Sequence, residues 1–332
     1  MNILIIGENN FNSLERIYKK NFIKLNCKNV NLISILSPKN FFLKKFLNFY
    51  EKYLFFIYCF IQNYFLKKKL TSDKNYYDVV IVFNGYFLYK RTIDLLKKKS
   101  RISLINIQTD NIFEKKNILK KNLIFFDKIY VWSSQIKKKI NLYQNIKTNK
   151  IFLLPFGFDQ FLIKKNLKID KIDKILFYGS WDKKREYLLN HIDNKILNIY
   201  GNGWEKANDA FKKKFIIKKE LIGKNLVKKI SKYLLCINLF RKQAKNSLNM
   251  RSFEVIAYGG NLLSELSLEQ NLYFKKFKGI LYFKDIKNIN KIYIKALSNK
   301  KKLLRDRKIN FELIKTHSYY HRAKYILENE NI

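Results

Sequence analysis

The stretch NMRSFEVIAYGGNLLSE, from Asn249 to Glu265, carries the clearest structural signal in the chain. Apolar residues at helical spacing are followed by Gly259-Gly260, a pattern typical of a helix that ends at a glycine C-cap. One apolar run, Leu234–Leu239, precedes this helix, and a second, Leu262–Leu263, follows it. A strand, a helix and another strand in succession predict one β-α-β unit of a parallel sheet.

Similar apolar runs recur along the whole chain, with amphipathic stretches between them. They are rich in Ile and Val and lack a two-residue alternation, which is typical of parallel strands covered on both faces. This rhythm predicts an α/β fold of two Rossmann-like, doubly wound parallel-sheet domains. The predicted strands are Ile3–Ile6, Val30–Leu36, Val79–Phe83, Ile102–Ile107, Ile129–Trp132, Ile151–Leu154, Ile175–Tyr178, Leu197–Tyr200, Phe215–Ile217, Leu234–Leu239, Leu262–Leu263 and Ile280–Phe283. The predicted helices are Leu14–Leu25, Phe41–Leu66, Tyr86–Lys98, Ser134–Leu142, Arg185–Asn190, Leu221–Tyr233, Met250–Tyr258, Leu268–Phe277, Ile286–Leu304 and His317–Leu327.

The rhythm breaks at Pro155, one of the chain's two prolines, which precedes a polar, lysine-rich stretch that runs to Asp173. We place the domain boundary there, with an N-terminal domain over residues 1–157 and a C-terminal domain over residues 158–332. The last predicted helix, His317–Leu327, could return to the N-terminal domain.

The composition combines a large apolar content with a high positive charge. Apolar residues make up 47% of the 332 residues, so the chain is not expected to be disordered. Lys and Arg number 68 against 26 Asp and Glu, which gives a net charge of +42. This charge favours polyanion partners such as an anionic membrane surface, a phosphorylated substrate or a nucleic acid. The even spread of lysines indicates compositional drift instead, and without a nucleic-acid-binding motif no specific nucleic acid is expected.

Tyr53–Leu66 is the most membrane-like stretch, but it is shorter than the roughly 20 apolar residues that a spanning helix needs. We predict a helix packed on a sheet, with a helix lying in a bilayer surface as the alternative. Three widely separated cysteines form neither a zinc nor a disulfide pattern, which fits a reducing compartment. We therefore expect a cytoplasmic protein, peripheral on the inner face of the membrane.

Candidate ligand contacts follow from the predicted sheets, because doubly wound sheets bind ligands at the carboxyl ends of their strands. Gly7, Gly179-Ser180 and Gly201 come directly after predicted strands, where glycine lets backbone amides approach a phosphate. The alternative is a steric role for these glycines in strand-to-helix turns. The chain contains neither a GxGxxG nor a GxxxxGK[ST] pattern, which argues against dinucleotide redox chemistry and P-loop NTPases.

Arg251 and Glu254 are three residues apart on the predicted helix and therefore share a face. A carboxylate there can accept hydrogen bonds from a ribose diol, and an arginine can bind a diphosphate. The alternative is an ion pair on the protein surface.

Further candidate side chains lie in loops of the first half. Asp110 follows a predicted strand and is a candidate general base, or a helix N-cap. Glu8 and Asn9 are similar loop candidates. His317 and His321 have the i,i+4 spacing of zinc ligands, but no third ligand stands out, so no metal site is expected.

Several segments, in order, resemble known glycosyltransferases. FEVIAYGGNLLSE resembles the nucleotide-sugar motif of the GT-B fold, and NMRSFEVIAYGG resembles the family of spore maturation protein CgeB. Segments of the second half that match in order are ILFYGS (175–180), IYGNGW (199–204), LLCINLF (234–240) and THSYYHRAKYIL (316–327). Segments of the first half that match are DVVIVFNG (78–85), INIQTDN (105–111), FDKIYVWSS (126–134) and LLPFGFD (153–159).

This resemblance implies two domains that face each other across a cleft, with a nucleotide-diphosphate sugar bound mainly by the second. The sugar would pass to a polysaccharide, glycolipid or protein acceptor. The resemblance places the ribose at Glu254, the diphosphate or sugar at Arg251 and the amides of Gly259 and Gly260, and the phosphates beside Gly179, Ser180, Lys184, Arg185 and Gly201.

Two sequence patterns of other sugar-transferring enzymes are not found in this chain. Retaining GT-B enzymes often carry two glutamates in an E-x7-E pattern. Glu254 would be the second of them, and Asn246 occupies the position of the first, which leaves retention or inversion open. The chain has no DxD motif, so we expect a metal-independent enzyme without a cofactor, in which basic side chains stabilise the leaving group. The alternatives are a polyanion-binding or nucleic-acid-binding protein, and a GT-B relic that binds without catalysis.

Overall fold

Each half of the chain builds a parallel sheet flanked by helices, which confirms the predicted α/β class with two Rossmann-like units. The structure is a computed structural model that describes residues 1–36, 41–113, 118–144, 146–163, 172–241, 244 and 246–330. The first unit comprises Met1–Pro155 together with the segment from Tyr319, and the second comprises Phe156–Ser318.

The first unit holds six parallel strands in its described part. They are β1 (Asn2–Gly7), β2 (Asn29–Ser34), β3 (Tyr77–Phe83), β4 (Ser100–Gln108), β5 (Lys128–Val131) and β6 (Ile151–Leu153), in the order β2-β1-β3-β4-β5-β6. The helices are α1 (Leu14–Lys24), α2 (Phe41–Tyr53), α3 (Phe55–Ser72), α4 (Lys90–Lys99), α5 (Leu119–Asn122) and α6 (Ser134–Gln144).

The second unit repeats this plan in its described residues. Its strands are β7 (Ile172–Tyr178), β8 (Leu197–Tyr200), β9 (Ile217–Lys218), β10 (Tyr233–Asn238), β11 (Leu262–Glu265) and β12 (Leu281–Phe283), in the order β12-β11-β10-β7-β8-β9. The helices are α7 (Lys183–Leu189), α8 (Asp209–Lys214), α9 (Gly223–Lys232), α10 (Met250–Ala257), α11 (Leu268–Tyr273), α12 (Ile289–Ser298) and α13 (Lys300–Ile314).

The last helix, α14 (Tyr319–Glu328), packs in the first unit. The ring of Tyr319 lies 5.6 Å from the ring of Tyr18 in α1, and Ala323 is fully buried beside it. Arg322 donates from Nε to the carbonyl of Pro155 at 2.9 Å.

The middle of the second sheet positions the candidate site. All six residues of β10 are buried, and β10 pairs in parallel with both β7 and β11. A strand buried on both faces must be apolar throughout, which is why it stands out as a continuous run in the sequence. Since the strands are parallel, the carboxyl ends of β7, β8 and β10 lie along one edge of the sheet.

Two predicted helices are each broken in two. The helix predicted over Phe41–Leu66 is interrupted at Leu54, whose φ of −121° and ψ of 55° are not helical. The helix predicted over Ile286–Leu304 is interrupted at Asn299, whose side chain donates to the carbonyl of Lys295 at 2.9 Å. Apolar spacing continues across both breaks, so periodicity alone predicts single helices.

Candidate functional site

Two glycine turns touch at the carboxyl edge of the second sheet. Gly179, after β7, has a φ of 153°, and a Cβ added to it would lie 2.2 Å from Nη2 of Arg251. Gly201, after β8, has a φ of 155°, and a Cβ there would lie 2.0 Å from the carbonyl oxygen of Gly179. The indole of Trp204 donates to that same carbonyl at 2.9 Å. Only glycine fits at both turns, so the presence of glycine at these two positions has a steric cause.

Replacing Gly201 with alanine is expected to lower the free energy of unfolding by about 3 kcal/mol, because the new methyl group collides with backbone. Gly223 is the matched control, since it also has a positive φ but no atom within 4 Å of an added Cβ. Gly223→Ala should cost only about 1 kcal/mol. Urea unfolding of both variants measures the difference, and equal losses would contradict the contact between the turns.

The first turn of α10 is fixed to the end of β10. The Asn249 side chain caps the helix by accepting from the amide of Ser252 at 3.1 Å. The Ser252 hydroxyl in turn accepts from the Asn249 amide, which completes a capping box. The Asn249 side chain also donates to Oδ1 of Asn238, the last residue of β10, at 2.8 Å. These bonds fix where the second and fifth residues of α10, Arg251 and Glu254, project.

Arg251 reaches from α10 to the end of β7. Its Nε donates to the carbonyl of Tyr178 at 2.7 Å, and its guanidinium lies 5.1 Å from the centre of the Tyr178 ring. Burial lowers the pKa of Arg251 below its ordinary value. A cation held in this way presents its remaining N–H groups in a fixed direction.

Arg185 is almost fully buried under the same turn. Its Nη1 donates to the carbonyl of Ser180 at 2.9 Å and its Nη2 to the carbonyl of Leu239 at 3.3 Å. Burial, together with the nearby charges of Arg251 and Arg241, lowers the pKa of Arg185 to about 9. The three guanidinium groups therefore repel one another, and an anion bound among them would relieve that repulsion.

Arg241 completes this group, which we call the arginine cluster (Arg185, Arg241 and Arg251). It donates to the hydroxyl of Ser180, and its Nε lies 4.0 Å from Asp182. The ammonium group of Lys184 pairs with Glu265 at 2.7 Å and donates to the carbonyl of Phe240 at 3.1 Å. Of the predicted phosphate contacts, Gly179, Ser180, Arg185, Arg251 and Gly201 are thus brought together.

Glu254 lies one turn along α10 from Arg251. Its Oε2 accepts a hydrogen bond from the Tyr178 hydroxyl at 3.3 Å. Burial raises the pKa of Glu254 to about 7, although Arg251 and the Tyr178 hydroxyl act in the opposite direction. A partly buried carboxylate of this kind gains from any ligand that donates hydrogen bonds to it.

Gly259 and Gly260 lie at the opposite end of α10, about 12 Å along the helix from Arg251. The amide of Gly259 donates to the carbonyl of Ile256 at 3.1 Å, and that of Gly260 to the carbonyl of Val255 at 2.7 Å. Both amides are therefore used to end the helix, and the structure does not bring them to the arginine cluster.

The acceptor-side candidates belong to the first unit. Asp110 is half-buried and lies two residues beyond β4. Glu8 donates its amide to Oε1 of Glu15 at 3.0 Å and accepts from the Asn10 side chain at 2.9 Å, while Asn9 is exposed.

The two histidines do not share a helix. His317 ends a short 3-10 turn before α14, and its Nδ1 lies 3.1 Å from the Tyr273 hydroxyl in the second unit. His321 lies within α14 in the first unit, where burial lowers its pKa. The i,i+4 spacing in the sequence therefore does not become a pair on one helix face.

Three contributors to the site escaped prediction. Arg241 lies three residues beyond the end of β10, so a basic residue near a strand's carboxyl end was the available signal. Asp182 caps α7 and Tyr178 ends β7, where the sequence carries no sign of their contacts with arginine. A cavity of about 640 Å³ also opens beside the glycine turn; it is lined by Gly201, Asn202, Gly203, Trp204, Glu205, Lys212, Phe215, Ile217, Lys218 and Lys219.

Comparison with known proteins identifies the class of fold as GT-B. Residues 183–328 match the family described as glycosyl transferase-like. A comparison with curated proteins finds no match.

Solved structures similar to this chain include enzymes of sugar metabolism. Anabaena HepE in complex with UDP and glucose is 10% identical, with 99% of each chain covered and a TM-score of 0.65. The lipopolysaccharide outer core galactosyltransferase WaaB is 14% identical, covers 99% of this chain and 100% of its own, and gives a TM-score of 0.62. The N-terminal domain of Candida albicans trehalose-6-phosphate phosphatase is 11% identical, with 99% and 96% covered and a TM-score of 0.66. At these identities the likeness defines the fold, and the reaction has to be argued from the site.

Proposed function

We propose that this protein is a glycosyltransferase that binds a nucleoside-diphosphate sugar in its second unit. The observation that carries the proposal is the arginine cluster, three guanidinium groups gathered around the Gly179 turn with Asp182 and Glu254 as the neighbouring carboxylates. A diphosphate supplies the negative charge that such a cluster favours, and guanidinium groups bind phosphate oxygens through paired hydrogen bonds. The glycosyl transferase-like family match over residues 183–328 supports the same assignment.

The nucleoside would lie next to the diphosphate. Glu254, one helical turn from Arg251, would accept hydrogen bonds from the ribose hydroxyls. The neighbouring cavity of about 640 Å³ beside Gly201 offers space for the base, within the volume range of small-molecule sites.

The chemistry we propose is electrostatic stabilisation of a leaving group. The bond between the anomeric carbon and the β-phosphate oxygen breaks, and its electron pair stays on that oxygen. The acceptor hydroxyl oxygen bonds to the anomeric carbon, and its proton passes to a base, for which we propose Asp110. The arginine cluster would stabilise the charge that develops on the diphosphate, because its groups are oriented before the reaction starts.

We also propose that the acceptor is a polysaccharide, glycolipid or protein, as the CgeB-like segments imply. Their order along the chain supports this proposal, whereas the family match is to the broader glycosyl transferase-like family.

Release of nucleoside diphosphate from UDP-, GDP-, ADP- and TDP-sugars is the experiment that tests the reaction, with excess EDTA in one arm. We expect one donor class to be turned over at the same rate with and without EDTA, since guanidinium groups take the place of a metal. Activity that is lost in EDTA and restored by magnesium or manganese would contradict metal independence. Absence of turnover for every donor would contradict transfer and favour the relic.

A further inference from the structure

The helical hairpin formed by α2 and α3 exposes an unusual amount of apolar surface. The first two turns of α3, residues 55–61, are apolar around the whole circumference, a pattern expected of a helix covered on all sides. Only one face is covered: Tyr58, Cys59, Leu66 and Leu70 are buried in the first unit. The remaining apolar faces of the hairpin therefore lack a covering within the described part of this chain.

The exposed side chains form one set, which we call the aromatic face. Phe42 is 79% exposed and Phe56 is 74% exposed. The aromatic face consists of Phe42, Leu43, Phe46, Phe49, Tyr53, Leu54, Phe56, Ile57, Phe60, Tyr64 and Phe65. The exposed areas of these eleven side chains sum to on the order of 1,000 Å².

The charge of the hairpin is strongly positive. Residues 41–72 contain six lysines and one acidic residue, Glu51, so their net charge is +5. Glu51 accepts a hydrogen bond from the Tyr86 hydroxyl at 2.7 Å, so it is engaged with the body of the unit. Aromatic side chains bordered by lysines match the interface of an anionic bilayer, where rings enter the headgroup region and ammonium groups meet phosphates.

A pocket adjoins the aromatic face between α3 and the start of α4. Its volume is about 500 Å³, and its lining is Phe60, Asn63, Tyr64, Lys67, Tyr89, Lys90 and Arg91. Lys90 pairs with Asp94 at 2.8 Å, whereas within the described ranges Lys67 and Arg91 have no ion-pair partner. Two cations that line one pocket, Lys67 and Arg91, suit a phosphate group.

We propose that the aromatic face inserts into the surface of an anionic phospholipid bilayer and that the adjoining pocket binds the phosphate of a lipid headgroup. Phe60 and Tyr64 belong to both the face and the pocket, so insertion brings headgroups to the cations. No helix in the described residues is long and apolar enough to cross a membrane, so the contact is interfacial. This proposal concerns the first unit and does not depend on the nucleotide site of the second.

Sedimentation with vesicles tests the aromatic face, using the full chain and either phosphatidylcholine alone or an equimolar mixture with phosphatidylglycerol. We expect binding to the mixed vesicles, and a loss of at least roughly tenfold when Phe56 and Phe60 are both changed to serine. Leu142→Ser is the control, since Leu142 is 87% exposed and lies on α6, away from the face. Nucleoside-diphosphate binding should be the same in every variant, which separates this proposal from the proposed function.

Charge reversal tests the pocket. Arg91→Glu should weaken binding to the mixed vesicles roughly tenfold, whereas Lys98→Glu, the same change on an exposed residue of the same helix, should have a smaller effect. Equal effects of the two reversals would overturn the headgroup pocket. Failure of the wild-type chain to sediment with mixed vesicles would overturn the whole proposal. So would binding that survives the paired phenylalanine change, or a lipid-free dimer that this change dissociates, which would assign the face to a second copy.

Discussion

Arg251→Ala is expected to weaken nucleoside-diphosphate binding roughly 30-fold to 700-fold, a loss of about 2–4 kcal/mol. The side chain is anchored by its bond to the Tyr178 carbonyl, so its free N–H groups are already oriented toward the proposed diphosphate. Its removal also takes one of the three positive charges from the arginine cluster that would bind the diphosphate. Isothermal titration calorimetry of the wild type and the variant measures the effect.

Two further variants separate a binding role from a structural one. Arg241→Ala removes a half-exposed member of the same cluster and should weaken binding with little change in the free energy of unfolding. Arg307→Lys is the matched control, because Arg307 is a buried arginine of the same unit that donates to the Tyr233 carbonyl at the amino end of β10. This variant should lose stability and keep its affinity. Equal affinity in the wild type, Arg251→Ala and Arg241→Ala would remove the arginine cluster from the binding site.

Glu254→Gln is expected to weaken nucleotide binding roughly tenfold to a hundredfold and yet to stabilise the protein at pH 8. The amide keeps the shape of the side chain but replaces a charged acceptor of the ribose hydroxyls with a neutral one, which costs about 1.5–3 kcal/mol. A residue that lowers stability while it serves binding is typical of functional sites. Calorimetry and urea unfolding of the same preparations test both parts.

The stability effect has a defined pH dependence. Burial raises the pKa of Glu254 to about 7 in the folded chain, from an ordinary value of 4.5. Between these values the folded state retains a proton that the unfolded state has lost, so the free energy of unfolding falls as pH rises. The wild type should therefore lose about 2–3 kcal/mol between pH 4.5 and pH 8 from this group, and Glu254→Gln should not.

Glu312→Gln provides the control for this prediction. Glu312 lies in the same unit, but its side chain is exposed and pairs with Lys315 at the same helix end. Its replacement should leave unfolding unchanged at both pH values. If Glu254→Gln were less stable than the wild type at pH 8, the carboxylate would be stabilising and the burial argument would be wrong. Nucleotide affinity of the wild type should also fall below pH 7 more steeply than that of Glu254→Gln, whose remaining slope belongs to the phosphate.

Much of the fold could be predicted from the sequence because parallel core strands must be apolar on both faces. β10, with the sequence YLLCIN, is buried at every position and is visible as an uninterrupted run. The break at Leu54 could not be predicted, since neither glycine nor proline marks it and the apolar spacing continues. The helix α8 could not be predicted either, because it has six residues, half of them lysine, and is too short to show an apolar periodicity.

The candidate site was predictable where one local pattern determines the geometry. Glycine after a strand located Gly179 and Gly201, and a three-residue spacing placed Arg251 and Glu254 on one face of α10. The role of Arg241 depends on the segment after β10 returning to Ser180, a contact between residues 61 positions apart. The amides of Gly259 and Gly260 were expected near the diphosphate from the same helix-ending pattern. In the structure they donate to the last carbonyls of α10, because the glycine C-cap that makes the helix recognisable also uses these amides.

Binding of a nucleoside diphosphate by the wild-type chain is the most direct test of the central claim, that the arginine cluster of the second unit is a donor site. Calorimetric titration with UDP, GDP, ADP and TDP, each in EDTA, should give one nucleotide with micromolar affinity and one site per chain. No heat of binding with any of the four, from a protein that unfolds cooperatively in urea, would contradict the claim.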